Sequence, residues 1–267
     1  MIINELKKLF KINLMMIVII LVNLHGCSSI ADLKDETKNW TVERLYSEAK
    51  EALDVGAHDT AIKYYELLEV RDPYGKYAQQ AQLELIYAYY KFEEPESALV
   101  TAKRFIYNYP NHPHLDYVYY MRGLINFERN QGMLSRLFPL DRSQRDQSAA
   151  FEAFSQFAEL IKRFPNRKYS QDARQRMIYL RNMLAEYELN VAQFYLKREA
   201  YLAAANRAKK VVESYQRTPS VPEALVIMAK AYKIMELNDL SESALKVLKL
   251  NYPQYSGIGE VEKLVVK

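Results

Sequence analysis

The chain has 267 residues, enough for one large domain, two ordinary ones or a repeat array. With 49% apolar and 26% charged residues it is composed as a folded body rather than a disordered segment. Only 7 glycines occur, and neither G-x-G-x-x-G nor G-x-x-x-x-G-K-[ST] is found, which argues against a Rossmann or P-loop nucleotide fold; no cofactor is expected. The formal charge is +4, but Lys7, Lys8 and Lys11 outweigh Glu5 in residues 1–26, leaving +2 beyond them, too near neutral to imply a nucleic-acid binder.

The first element is a basic start, KKLFK, followed by an apolar run whose uninterrupted part, Leu14 to Val22, is nine residues long. A spanning helix needs about 20, so a secretory signal over residues 1–26 fits better than an anchor helix. The run ends at Cys27, the only cysteine. The sequence LHGC, Leu24 to Cys27, resembles the bacterial lipobox, with a branched residue at −3 and a small one at −1; His25 departs from the usual small or apolar residue at −2. That resemblance implies cleavage before Cys27, acylation of its thiol and new amine, and a durable membrane anchor. An ordinary signal peptide with a free thiol is the alternative. Ser28, rather than Asp, follows the cysteine, which points to the outer membrane. With the thiol lipidated, thiol catalysis and thiolate metal binding are excluded.

Residues 27–40 are expected to form a linker. Beyond it the sequence predicts helix after helix, with prolines at 73, 110, 165 and 253. Twelve residues before each lies a small residue: Ala61, Ala98, Ala153 and Ser241. Twelve earlier again come Ala49, Ile86 and Ala229. Small residues let paired helices approach closely, and proline cannot continue the second helix. Together with Ala61/Tyr65 and Ala153/Phe157 at A-x3-aromatic spacing, this matches a tetratricopeptide array with a 37-residue period. A fourth repeat runs through Ala192, Tyr195, Ala204 and Gln216, where glutamine replaces the proline.

The expected fold is therefore all-α, a superhelix of five helix pairs with two insertions. The first, around NQGMLSRLFPLDRSQRD, carries Gly132 and Pro139 and predicts a loop inside repeat three. The second has neither Pro nor Gly and adds 14 residues, almost four helical turns, so it predicts one long helix from about Tyr169 to Lys197. That helix would join an N-terminal group of three repeats, residues 41–168, to a C-terminal pair within 169–267. In the repeat register, Gln80, Leu83, Tyr87, Tyr90, Tyr117, Tyr120, Leu124 and Phe127 fall on inward-facing positions of first helices. They form either an aromatic groove for an extended peptide or ordinary packing core. Arg122 and Asn126 fit core positions poorly.

No catalytic constellation is evident: GxSxG and HExxH are both missing. His112-Pro113-His114 could offer two metal ligands, but with no third evident it reads as a polar turn. Glu93, Glu94 and Glu96 read as a solvated helix end, and Asp141 to Asp146, DRSQRD, as either a salt-bridged loop or a charged contact.

Four long stretches then bear a resemblance: DPYGKYAQQAQLELIYAYYK, YPNHPHLDYVYYMRGL, DRSQRDQSAAFEAFSQFAELIKRFPNRKY and YELNVAQFYLKREAYLAAANR. They resemble the BamD family, lipoproteins of the machinery that assembles outer-membrane β-barrels, from Glu43 to about Pro253. The resemblance implies a scaffold without catalytic activity, anchored to the outer membrane and facing the periplasm. It implies docking of the C-terminal repeats on the POTRA domains of BamA, with Arg207 matching the family's arginine there. It also implies association of the N-terminal repeats with BamC and with C-terminal signals of unfolded β-barrel proteins, for which Lys91 or Arg122 could meet the terminal carboxylate. Another periplasmic tetratricopeptide scaffold, coordinating cell-wall synthesis and division, is the competing expectation; an envelope hydrolase ranks behind it.

Overall fold

A computed structural model describes residues 37–131 and 147–265. Cys27, the signal segment and DRSQRD lie outside the described residues. Eleven helices and no strand occur among them. In chain order these are α1 (Val42–Asp54), α2 (His58–Arg71), α3 (Ala78–Lys91), α4 (Pro95–Asn108), α5 (Leu115–Gln131), α6 (Ser148–Arg163), α7 (Ser170–Lys197), α8 (Tyr201–Ser214), α9 (Val221–Ile234), α10 (Asn238–Asn251) and α11 (Gly257–Lys263). Each of the first ten packs on the next; α3 also meets α5, and α7 meets α9. Where the connection lies among the described residues, short turns make neighbours antiparallel, so the array grows sideways as a stack, in which each helix relies on its sequence neighbours for a core.

The residues that set this packing recur. Ala61, Ala98, Ala153 and Ala204 are fully buried near the start of α2, α4, α6 and α8. Ser241 takes that place in α10; its hydroxyl donates to the Ala229 carbonyl of α9 at 2.9 Å, satisfying the one polar atom that alanine lacks. Volumes trade across the register. Tyr65 goes with Ala49, Ala102 with Ile86, and Phe157 with Gly123, and all six are buried. Native packing density demands such compensation.

The turns repeat as well. At four within-pair turns among the described residues the chain closes with the same two bonds. In the first, Gly56 N–H donates to Leu53 and Ala57 N–H to Ala52; the equivalents are Glu93/Glu94, Glu199/Ala200 and Glu236/Leu237. This is a Schellman closure, which needs a left-handed residue. Gly56 supplies it at φ 83°, but Glu93, Glu199 and Glu236 adopt it at φ 60 to 62° without glycine's freedom, at about 1 kcal/mol each. Between pairs, Asp72, Tyr109, Phe164 and Tyr252 end their helices directly before the prolines at 73, 110, 165 and 253. Tyr215 takes the same conformation (φ −123°, ψ 43°) before Gln216, so the turn survives without proline.

The two ends of the stack are tied down by side chains. At the first, Arg71 donates to the Thr37 carbonyl at 2.7 Å, to the Trp40 carbonyl at 3.2 Å and to Thr37 Oγ1 at 3.0 Å. At the last, α11 buries Val261 and is pinned by Lys230–Glu260 (2.5 Å) and Lys249–Glu262 (2.6 Å).

Gly123 gives a direct test of the packing. A Cβ there would press into three ring atoms of the fully buried Phe157. Gly123→Ala should lower stability by about 1–3 kcal/mol in urea titrations. Gly259→Ala, whose Cβ meets nothing, should leave the midpoint unchanged or raise it. Equal behaviour of the two variants would refute the close approach.

Candidate functional site

The first helices of the pairs, α1, α3, α5 and α7, border a cleft of about 500 Å³. Its walls are Lys50, Leu53 and Asp54 from α1, Gln80, Leu83, Glu84 and Tyr87 from α3, and His114, Tyr117 and Tyr169 from the following pairs. Four residues expected in a groove, Gln80, Leu83, Tyr87 and Tyr117, thus line one cavity. Gln80 and Tyr87 are exposed, Tyr117 is half-buried and Leu83 is 5% exposed. Tyr90 and Tyr120 are half-buried further along α3 and α5, while Leu124 and Phe127 lie inside the core cluster at 9% and 8% exposure.

The cleft floor is organised by Glu84. Its carboxylate accepts hydrogen bonds from Tyr65, from Gln80 at 2.9 Å and from Tyr46 at 3.4 Å, while Tyr46 stacks on Tyr77 at 4.6 Å. Burial, and then the Glu84 charge, push the Tyr46 phenol up to about 12. Lys50 is paired with Asp54 at 2.8 Å. The result is a wall of tyrosine faces above fixed carboxylates, suited to aromatic and polar groups of an extended chain.

A second layer continues from the cleft. Tyr120 stacks on Tyr169 at 4.8 Å and donates to Asp172 at 2.7 Å; Arg176 reaches Asp172 at 2.6 Å and lies 4.8 Å over the Phe127 ring. Tyr90 donates to Glu128 at 2.7 Å. Burial, then the Asp172 bond, push the Tyr120 hydroxyl up to about 12. Partial burial acts to raise the Asp172 carboxyl, but the hydrogen bonds from Arg176 and Tyr120 prevail and hold it below the usual range. The cations named from sequence stand elsewhere. Arg122 is turned to α6, 3.9 Å from Glu159 and over Tyr119, and Lys91 is exposed at the end of α3. Asn126 is buried and donates to Gln156 at 2.9 Å, a polar link between α5 and α6.

In the C-terminal half, Arg207 of α8 reaches Glu188 of α7 at 2.9 Å, and Lys210 reaches the other carboxylate oxygen at 2.6 Å. Glu188 is only 2% exposed, whereas the two cations are about two-fifths exposed. A buried carboxylate holding two cations fixes their position while leaving their outer faces accessible. Sequence reasoning reached Arg207 but not Glu188, whose signal is a charge on the apolar stripe between Leu184 and Ala192, each four residues away.

Among the described residues no group of three His, Cys, Asp or Glu could hold a metal ion, and no helix is long and apolar enough to cross a membrane. His112 Nδ1 accepts from the His114 amide at 3.2 Å and its ring abuts Phe105, so both histidines belong to the turn before α5.

The array is thus a stack of helices with an aromatic cleft bordered by α1, α3 and α5 and a preset cationic pair on α8. Comparison with known proteins gives its family. Residues 38–248 match the model of the YfiO family, described as outer membrane lipoprotein. The chain is 45% identical over 218 residues to the outer membrane protein assembly factor BamD of Neisseria gonorrhoeae, covering 82% of each chain. It is 41% identical over 228 residues to BamD of Vibrio cholerae, covering 85% of this chain and 93% of that one. The chain belongs to the YfiO/BamD family of outer-membrane lipoproteins involved in outer-membrane protein assembly.

The Tyr120–Asp172–Arg176 layer predicts an acid response. Because the Asp172 carboxyl is depressed in the folded state, its contribution is fully present above the ordinary carboxylate pKa of about 4 and is lost as pH falls through the lowered value. Asp172→Asn should lower stability at neutral pH and lose less of it on acidification than the parent, measured by urea midpoints across that range. An identical acid response in both would remove Asp172 as a contributor.

Proposed function

We propose that this chain is the non-catalytic lipoprotein scaffold of the outer-membrane β-barrel assembly machinery, held by acyl chains on Cys27 with its helices in the periplasm. The observation that carries the reading is the family match, which spans nearly all the described helices. In this reading residues 1–26 are the signal and 27–40 the lipidated linker. Five tetratricopeptide pairs divide into an N-terminal group (41–168) and a C-terminal group (169–267), with α7 joining them.

The C-terminal group docks on the POTRA domains of BamA around Arg207, and the N-terminal group meets BamC and the C-terminal signals of unfolded barrel proteins. Support for the first contact comes from the accessible outer face of Arg207, which buried Glu188 holds in one place. Support for the second comes from the cleft bordered by Gln80, Leu83, Tyr87 and Tyr117, with Tyr90 and Tyr120 beyond it. Leu124 and Phe127 belong to the packing core rather than to the wall of this cleft. A cell-wall scaffold of the same repeat class is the competing reading.

Two variants test the assignment. Arg207→Glu should sharply reduce recovery of the barrel subunit when the lipidated protein is purified from detergent extracts. Undiminished recovery would remove that site, and recovery of cell-wall synthases instead of a barrel subunit would favour the competitor. Tyr87→Ala, at a 38% exposed position, should weaken binding of a barrel C-terminal peptide roughly tenfold, the scale of one aromatic contact. Unchanged affinity would exclude the cleft.

A further inference from the structure

The two edges of the helix stack differ in charge. Because packed neighbours are antiparallel, turns within pairs fall on one edge and turns between pairs on the other. Over residues 70–77, 107–114, 162–169, 213–220 and 250–257, the between-pair turns carry seven Lys or Arg against two Asp or Glu. Over residues 53–60, 90–97, 196–203 and 233–240, the four within-pair turns among the described residues carry four Lys or Arg against eight Asp or Glu.

Five of the seven cations on the basic edge, Lys76, Lys162, Arg167, Lys168 and Arg217, are exposed, and these five stand free of ion pairs among the described residues. Lys76 and Lys168 hold equivalent places in their turns and lie over the rings of Tyr77 and Tyr169 at 5.1 and 5.4 Å. The same edge carries Val70, Tyr74 and Tyr107, which are 81%, 94% and 85% exposed. Val70 and Tyr107 flank the Glu69–Arg104 bridge of 2.8 Å that ties α2 to α4. Tyrosine with an apolar body and a polar tip suits a headgroup region.

The chain also enters the fold on this edge. Arg71 at the end of α2 clamps Thr37 and Trp40, and Thr37 is ten residues from Cys27. Ten residues reach at most about 35 Å. We propose that the between-pair edge near this entry, centred on Lys76, Tyr74, Arg167 and Lys168, rests on an anionic lipid surface and so orients the scaffold with its within-pair, acidic edge away from the membrane. The orientation rests on lipidation at Cys27; the charge and aromatic pattern does not.

Vesicle flotation tests it with the mature chain made without residues 1–26 and carrying Cys27→Ser, which has no acyl chains. It should bind phosphatidylcholine–phosphatidylglycerol vesicles more tightly than phosphatidylcholine alone, and less tightly as salt rises. With about fivefold per cation near an anionic surface, K76Q/R167Q/K168Q should lose on the order of a hundredfold, while K91Q/K197Q on the other edge should bind like the parent. Circular dichroism checks that each variant is folded. Equal binding to both vesicle types, or a K76Q/R167Q/K168Q variant that binds like the parent, would overturn the proposal. Release of the Cys27→Ser protein from cell membranes reads the anchor separately, so a failure of lipidation is distinguishable from a failure of the edge.

Discussion

Everything in this molecule depends on how closely the two helices of a pair can approach. Ala61, Ala98, Ala153 and Ala204, with Ser241 bonded to its neighbour's carbonyl, set that distance five times over. A larger side chain at any of them would wedge the pair apart in a core that has no slack. Because each pair is the platform for the next, an error at one crossing would propagate along the stack and displace the surfaces built on it. The cleft on α1, α3 and α5 and the Glu188 site between α7 and α8 inherit their geometry from these contacts.

Several features of the fold were legible because they arise from local chemistry repeated in register. Alanine spacing marked the helix crossings, and the prolines marked helix ends. The absence of Pro and Gly from Ser170 to Lys197 left no stop signal in a stretch that forms a single 28-residue helix. What escaped reading depends on tertiary contact. Helix α11 has seven residues, two of them glycine, and is held by Val261 and two ion pairs to α9 and α10 rather than by its own propensity. The left-handed Glu93, Glu199 and Glu236 gave no warning, since glycine is the residue such turns usually signal.

The site shows the same division. An aromatic stripe at helical spacing cannot reveal which of its members face solvent, and so Tyr87 and Phe127 look alike in sequence although one lines an open wall and the other packs in the core. Arg207 was accessible through family likeness alone. Its partner Glu188 lies 19 residues earlier on another helix, a separation that no local pattern encodes. Asp172 and Arg176 were missed for the same reason: their significance comes from Tyr120, contributed by α5. The separation of surfaces is nonetheless a consequence of the repeat. One face offers side chains of first helices and each edge offers one class of turn; the face and the between-pair edge meet at His114 and Tyr169, which line the cleft.

The central claim is that this scaffold serves barrel assembly. The most direct measurement is depletion of the protein in cells, followed by quantifying folded, heat-modifiable β-barrel proteins in the outer membrane with lipoproteins as the internal control. The account predicts that folded barrels fall and their unfolded precursors accumulate while lipoproteins still reach the outer membrane. Undiminished folded barrels, accompanied by defects in cell-wall synthesis or division, would contradict it.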